Sequence, residues 1–377
     1  MGKHLVFVGG GHAHLTSLKN LGNFIRLDHQ VTLISLSAYH YYSGMGPGML
    51  SGIYRPQEVR FHVKKLVEDR GGRFMEDKVT RIDPIGRLLF LHSGKEVNYD
   101  IVSFNTGSEV PAESLIKTPQ ENVFTVKPVI NLLNARQFVL NRSEMKSLHC
   151  VVIGGGPGGV EVSANLWRLI HPSHHPAKIT LIAGKTLLGD FPEKARQLAL
   201  TSLSSKGVDV IEGNYVKAVE KGTVILKDEQ KIPFDMVLLG VGIKPSSLFK
   251  NSGLPTGEDG GLLTNSYLQS TAYPNIFGGG DCISLDGFPL ARVGVYAVRQ
   301  NPVLYHNLLA ALDGGEMKVF KPQKSYLLIF NMGDGRGIFW RKNWVWQSRF
   351  AFLLKDYIDR RFMRRFQVSG ELSPSLS

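Results

Sequence analysis

Two glycine clusters hold the chemistry most legible in this sequence. The first reads Lys3-His-Leu-Val-Phe-Val-Gly9-Gly10-Gly11-His12-Ala13-His14, and the second His149-Cys-Val-Val-Ile-Gly154-Gly155-Gly156-Pro157-Gly158-Gly159-Val160-Glu161. In each, a short apolar run ends in glycines and an apolar helical period follows. Glycines at the first two positions let the turn tighten and the backbone approach a pyrophosphate. The charge of that group then meets the free N–H groups of the helix start. The second cluster is complete at Gly154, Gly156 and Gly159, whereas the first has His14 in the third glycine position. That substitution predicts wider packing of its helix against its strand. A lone cluster is weak evidence, and the strand–turn–helix setting is what gives each one meaning. Two ordinary α/β domains with tight turns are the bland alternative.

A further echo joins the two halves. Tyr99-Asp100-Ile-Val-Ser-Phe-Asn-Thr106-Gly107-Ser108 matches Phe234-Asp235-Met-Val-Leu-Leu-Gly-Val241-Gly242-Ile243. Each predicts a buried strand ending in a glycine at a ligand edge, so a whole nucleotide-binding unit occurs twice. A third landmark, Asn275-Ile-Phe-Gly278-Gly279-Gly280-Asp281-Cys282, precedes a helical stretch that reaches Leu309. An aspartate there can accept a hydrogen bond from a ribityl hydroxyl, and the helix start would stabilise negative charge on a reduced flavin ring.

What is missing is equally informative. There are two cysteines, Cys150 and Cys282, far apart and in no CxxC or CxxxxC pair. Metal-site spacing and a local redox disulfide are therefore both absent, and each thiol is expected to be a small buried side chain. Hydride transfer needs stacking and positioning more than acid–base residues, so the lack of a triad or metal cluster fits it. His12 and His14 read as neutral polar contacts, because a helix N-terminus disfavours a charged imidazole. His171, His174 and His175 read as a surface loop, with metal binding there the lesser alternative.

The elements that must position these residues need two or three domains, which 377 residues supply. Hydrophobic residues make up 43% and charged ones 20%, a globular balance. No apolar run reaches the roughly 18–20 residues that cross a bilayer. Leu5 to Val8 is too short for a signal peptide, so a cytoplasmic protein is expected. The net charge of +12 permits attraction to nucleic acid, anionic lipid or acidic substrates.

Together the three landmarks resemble the two-dinucleotide flavoproteins of the pyridine nucleotide–disulfide oxidoreductase superfamily, over nearly the whole chain. They are most similar to the branch containing type II NADH dehydrogenases. The phrases GGGHAH, Tyr42-Ser43-Gly44-Met45, Gly294-Val-Tyr-Ala-Val-Arg-Gln300 and Lys355-Asp-Tyr-Ile-Asp-Arg-Arg-Phe-Met363 resemble its members sometimes fused to selenide, water dikinase. The resemblance implies an α/β fold of two Rossmann-like domains with a C-terminal aromatic and basic helical segment. It implies an FAD domain over 1–115 and 247–320, an NAD(P) domain over 116–246 and a C-terminal segment over 321–377. FAD would be held through Gly9, Gly11, His12, Ala13, Thr106, Gly107 and Asp281. NADH or NADPH would be held through Gly154, Gly156, Pro157, Gly158 and Gly159, with Glu161 and Gly242 nearby.

Three departures from the family pattern stand out. The second strand of the FAD half ends in Ser35, where an acid usually takes the ribose hydroxyls, so Ser35 can supply one hydrogen bond instead. The NAD(P) half has Ile182-Ala183-Gly184-Lys185, again without an acid. Lys185 is either a 2′-phosphate contact or a solvated lysine, which leaves the choice of NADH or NADPH open. In type II dehydrogenases the quinone lies beside an alanine–glutamine helix start. Here Gln300 matches and Tyr296 replaces the first glutamine, which places these two residues on the acceptor side of the flavin. The implied activity is transfer from NAD(P)H through FAD to a quinone. A flavoprotein of selenium or sulfur metabolism and a flavin-binding redox regulator are the alternatives.

Two stretches keep two readings each. Tyr39 to Met49 either lines the flavin or is a glycine-rich packing loop with buried tyrosines. Residues 336–367 carry nine Lys/Arg, two Asp and nine aromatic residues. Phe350, Leu353, Leu354, Tyr357, Ile358, Phe362 and Phe366 recur there at helical spacing. Such a segment suits an anionic membrane interface, on the inner face of the cell membrane. It equally suits packing on the FAD domain, or a homodimer contact. Basic residues among aromatics also grip single-stranded nucleic acid, but no nucleic-acid module is visible and none is expected. Val368 to Ser377 reads as a loose tail.

Overall fold

The computed structural model describes residues 2–116, 119–142, 147–171, 177–323 and 325–372. His174, His175 and the last five residues of the tail lie outside them. The first half runs β1 (His4–Val8), α1 (Leu15–Lys19), β2 (Gln30–Ser35), α2 (Gly46–Ser51), β3 (Arg73–Glu76) and β4 (Ile101–Phe104). The second runs β5 (Val123–Thr125), β6 (Leu148–Ile153), α3 (Pro157–Ile170), β7 (Ala177–Gly184), β8 (Val208–Glu212) and β9 (Met236–Leu239). The chain continues through β10 (Ile276–Gly278) and α4 (Gly294–Asp313). It ends in the hairpin strands β11 (Leu328–Asn331), β12 (Gly337–Arg341) and β13 (Trp344–Ser348), followed by α5 (Arg349–Phe366).

Two five-stranded parallel sheets result, ordered β10-β4-β1-β2-β3 and β5-β9-β6-β7-β8. In both, the glycine-loop strand lies between the closing strand and the second strand. A three-stranded antiparallel meander precedes each closing strand, at 79–98 and at 216–233. The central strands are apolar along their length because helices and loops cover both faces of a parallel sheet. Leu5, Val6 and Phe7 are fully buried, as are Cys150, Val151 and Val152.

The duplication extends to single atoms. The carboxylate of Asp100 accepts the N–H of His4 at 2.7 Å, and that of Asp235 accepts the N–H of His149 at 2.7 Å. The ring of His4 lies 2.9 Å from the Thr32 hydroxyl and that of His149 lies 3.0 Å from the Thr180 hydroxyl. Each acid stitches the end of its meander to the start of its glycine-loop strand.

The halves meet at α2, all six residues of which are buried. A Cβ on Gly48 would lie 2.5 Å from the Tyr54 ring, so the glycines here serve close packing. The Ser51 hydroxyl donates to Asn165 of α3 at 2.8 Å, and the Asn165 amide donates to the Asn331 carbonyl of β11 at 3.0 Å. One buried polar chain thus ties both halves to the C-terminal segment.

Candidate functional site

In the first loop Gly9 turns the chain at φ +88°, and a Cβ there would lie 2.3 Å from the Asn105 carbonyl oxygen. A Cβ on Gly11 would lie 2.1 Å from the Asn105 side-chain oxygen. That side chain, which sequence reasoning missed, is the keystone of the loop. Its oxygen accepts the Ala13 N–H at 3.1 Å, and its amide donates to the Gly279 carbonyl at 2.5 Å. The only signal was a polar residue ending the apolar run of β4, where the second half has Gly240.

His14 explains the missing third glycine. Burial holds its ring at a pKa of about 4, so it is neutral. Nδ1 faces the Gly9 carbonyl at 2.6 Å and must be the donor, leaving Nε2 to accept the Ser103 hydroxyl at 2.8 Å. The ring fills the space between helix and strand, and α1 begins only at Leu15. In the second loop a Cβ on Gly159 would lie 1.8 Å from the Gly154 carbonyl oxygen. There the helix starts at once, with Pro157 in its first turn.

Around the first loop the structure gathers His12, His40, Tyr42, Lys127 and Asp281. His12 is held at a pKa of about 4 by burial and by the charge of Lys127, and His40 is lowered by burial, by His12 beside it and by Lys127. Their rings meet edge-on, 4.9 Å between centroids, and the Nε2 atom of each is buried without a hydrogen-bond partner. The Asp281 carboxylate accepts from Ser108 at 2.8 Å and from Lys127 at 2.7 Å. Lys127 gave no sequence signal, because it enters from the strand of the other half. Thr106 and Gly107 lie at the open end of β4, and a Cβ on Gly107 would meet nothing. Ser35 ends β2, half-buried.

The second loop leaves Gly156, Gly158 and Gly242 facing open space, with no atom within 4 Å of a Cβ on any of them. Glu161, one turn along α3, accepts the Asn331 N–H at 2.8 Å. Burial raises its carboxyl to about 6 against the pull of Lys355. A carboxyl raised on folding adds stability below its unfolded pKa of 4.5 and loses it as pH rises through about 6. Glu161→Gln should therefore remove about 2 kcal/mol of stability loss between those limits. Thermal denaturation across pH checks this, and a variant that keeps the wild-type slope counts against it.

Tyr296 and Gln300 lie on the first turns of α4, both buried. The Gln300 oxygen accepts the Gly280 N–H at 2.6 Å and so props up the loop carrying Asp281. The Tyr296 hydroxyl donates to the Gln323 carbonyl at 3.1 Å, with its ring edge-on to Tyr326.

The C-terminal helix divides its residues in a way the sequence pattern had merged. Phe362 packs 5.0 Å from the Tyr42 ring and Phe366 is buried, so these two face inward. Phe350, Leu353, Tyr357 and Ile358 face out, Phe350 at 66% exposure, and Trp344 on the adjoining hairpin is 71% exposed. The inner face also carries Lys355, Asp356 and Asp359, which a helical pattern would place in solvent. Lys355 donates to the Gly44 carbonyl at 2.7 Å and to Asp359 at 2.9 Å, and Tyr42 donates to Asp359 at 2.9 Å. Among the described residues there is no cluster of three or more potential metal ligands, and no helix long and apolar enough to cross a membrane.

Residues 3–307 match the family described as pyridine nucleotide-disulphide oxidoreductase. The chain belongs to this family. It is 27% identical to ferroptosis suppressor protein 1 of Xenopus tropicalis, covering 98% of this chain and 96% of that one. It is 26% identical to external alternative NAD(P)H-ubiquinone oxidoreductase B2, mitochondrial, of Arabidopsis thaliana, covering 75% of this chain and 55% of that one. Its fold superposes on NDH2 of Plasmodium falciparum in complex with NADH, with a TM-score of 0.81, 14% identity and 99% of each chain covered.

The protein is thus an oxidoreductase of the pyridine nucleotide-disulphide family, similar over most of its length to alternative NAD(P)H-ubiquinone oxidoreductases. The first site fits FAD: two unpartnered imidazole nitrogens and an aspartate–lysine pair border a glycine turn. The second fits the dinucleotide, because Gly156 and Gly158 keep the helix start uncovered.

Proposed function

We propose that the protein passes electrons from NAD(P)H to a quinone at a membrane surface. The observation that carries this is two strand–glycine turn–helix cradles in a chain whose thiols offer no disulfide to take electrons. Cys150 and Cys282 are free and buried, and burial pushes both thiols up. The electrons must then leave on a diffusible acceptor, and the ubiquinone named for the Arabidopsis relative supports a quinone. FAD, when bound, supplies the hydride chemistry. The FAD domain comprises 1–115 and 247–320, and the NAD(P) domain comprises 116–246.

Gly9, Gly11, Ala13 and Asn105 shape the flavin cradle, and Asp281 takes the ribityl chain. Gly154 to Gly159 seat the donor's pyrophosphate on α3. Tyr296 and Gln300 form the acceptor side, Gln300 by fixing the Gly280 turn. An anaerobic visible spectrum tests the whole sequence: NADH or NADPH should bleach the flavin band, and a short-chain quinone should restore it. A flavin that ignores both nucleotides overturns it. Tyr296→Ala should change acceptor preference, and unchanged quinone turnover removes that residue from the acceptor side.

The outward stripe of α5, with Trp344 and the exposed arginines beside it, supports docking on anionic lipid. Aromatic rings would sit at headgroup depth, and the cations would meet phosphate. The full-length protein should float with anionic liposomes, and changing Phe350, Leu353 and Tyr357 to serine should abolish flotation. A wild-type protein that stays soluble, or sediments as a dimer, contradicts this.

A further inference from the structure

We propose that the second cradle is built for a 2′-phosphorylated nucleotide, with Lys185 meeting the phosphate, so that NADPH is the preferred reductant. This deepens the donor side of the function proposed above and rests on it.

In a βαβ cradle the adenosine ribose lies over the end of the second strand, where a carboxylate selects the 2′-hydroxyl and a cation accommodates a 2′-phosphate. Here that strand is β7, which pairs directly with β6, and it ends in Ala183 and Gly184. The bend that follows is pinned against the loop at two points. A Cβ on Gly155 would lie 2.3 Å from the Ala183 carbonyl oxygen, and the Leu188 N–H donates to the Gly155 carbonyl at 2.7 Å. Lys185 sits between these anchors with its side chain exposed, its own carbonyl accepting the Gly213 N–H at 3.1 Å. Its place beside the phosphate loop is therefore set by the backbone.

The Glu212 carboxylate on the neighbouring strand is already engaged. Glu212 accepts the Leu187 N–H at 2.6 Å and pairs with Arg196 at 2.8 Å. It supports the bend and has no lone partner-free oxygen to offer a ribose hydroxyl. On the other side of Gly184 lies the Tyr215 ring, 49% exposed and 3.1 Å from where a Cβ on Gly184 would be. The Lys227 ammonium lies 5.3 Å from the centre of that ring. Lys185 beside the loop and Lys227 over the Tyr215 ring leave this strand end positive, which suits a nucleotide carrying an extra phosphate.

The test uses the full-length, FAD-loaded protein and calorimetric titration with 2′,5′-ADP and 5′-AMP. The former should bind about tenfold more tightly, the scale of one charge-assisted phosphate contact. That margin should narrow as salt is raised. Lys185→Glu should erase it, weakening 2′,5′-ADP and, as a carboxylate at the ribose, favouring 5′-AMP, and Lys185→Gln should lie between. Equal affinities in the wild type, or a margin untouched by Lys185→Glu, overturn the proposal. Stopped-flow reduction separates the two levels. Equal bleaching by NADH and NADPH ends the 2′-phosphate preference and keeps the donor function, whereas no bleaching and no binding by either ends both.

Discussion

Gly156→Val is expected to leave the fold and the bound FAD intact while slowing flavin reduction by NAD(P)H roughly 100-fold. At φ −81° and ψ −177° the backbone there is extended, a conformation valine adopts readily and one that suits the residue before Pro157. Apart from its chain neighbours, no heavy atom lies within 4 Å of a Cβ built there, so the site has room for an added side chain. The valine methyls would stand where the pyrophosphate must approach the helix start. Gly159→Ala is the informative contrast, because its Cβ would lie 1.8 Å from the Gly154 carbonyl oxygen and disrupt the turn itself. Stopped-flow bleaching and thermal denaturation on the two variants separate a ligand-facing glycine from a packing one. Wild-type reduction by Gly156→Val would place the donor elsewhere.

Lys355→Met should cost about 3–5 kcal/mol at neutral pH, the price of stranding buried charge. The Lys355 and Asp359 side chains are only 12% and 6% exposed, so water cannot replace the lost partner. Asp359 would keep Tyr42 as its donor, and Glu161 would lose the cation that draws its carboxyl down. The Glu161 carboxyl then rises further, and a raised carboxyl gives back stability as pH falls below its folded pKa. The deficit should therefore shrink on acidification. Urea denaturation at neutral and mildly acidic pH measures this, with Asp359→Asn in the same background expected to recover part of the loss. A cost under about 1 kcal/mol would mark the pair as a solvent-screened contact. Because Lys355 also holds the Gly44 carbonyl, the same variant should disturb the loop that carries Tyr42 to the first glycine loop.

The sequence by itself determined the two cradles, because a glycine turn between strand and helix is a local device. Gly9 and Gly154 take positive φ, which glycine adopts without strain, and Asp100 and Asp235 recur at matching places in the repeat, although the bonds they make to His4 and His149 span the chain. The thiols were equally legible, since their isolation ruled out a local disulfide. Tertiary structure alone decided which side chains complete the sites. Asn105, Lys127 and Asn331 act across distances that no periodicity encodes, on residues brought near by sheet order. It also decided the C-terminal helix. An apolar period says that a helix has a buried stripe, but not that Lys355 and Asp359 are buried while Phe350 is exposed. That inversion depends on what the helix meets: a carbonyl at Gly44, a hydroxyl at Tyr42 and a carboxyl at Glu161. Together they satisfy buried charges that the chain would otherwise turn to water.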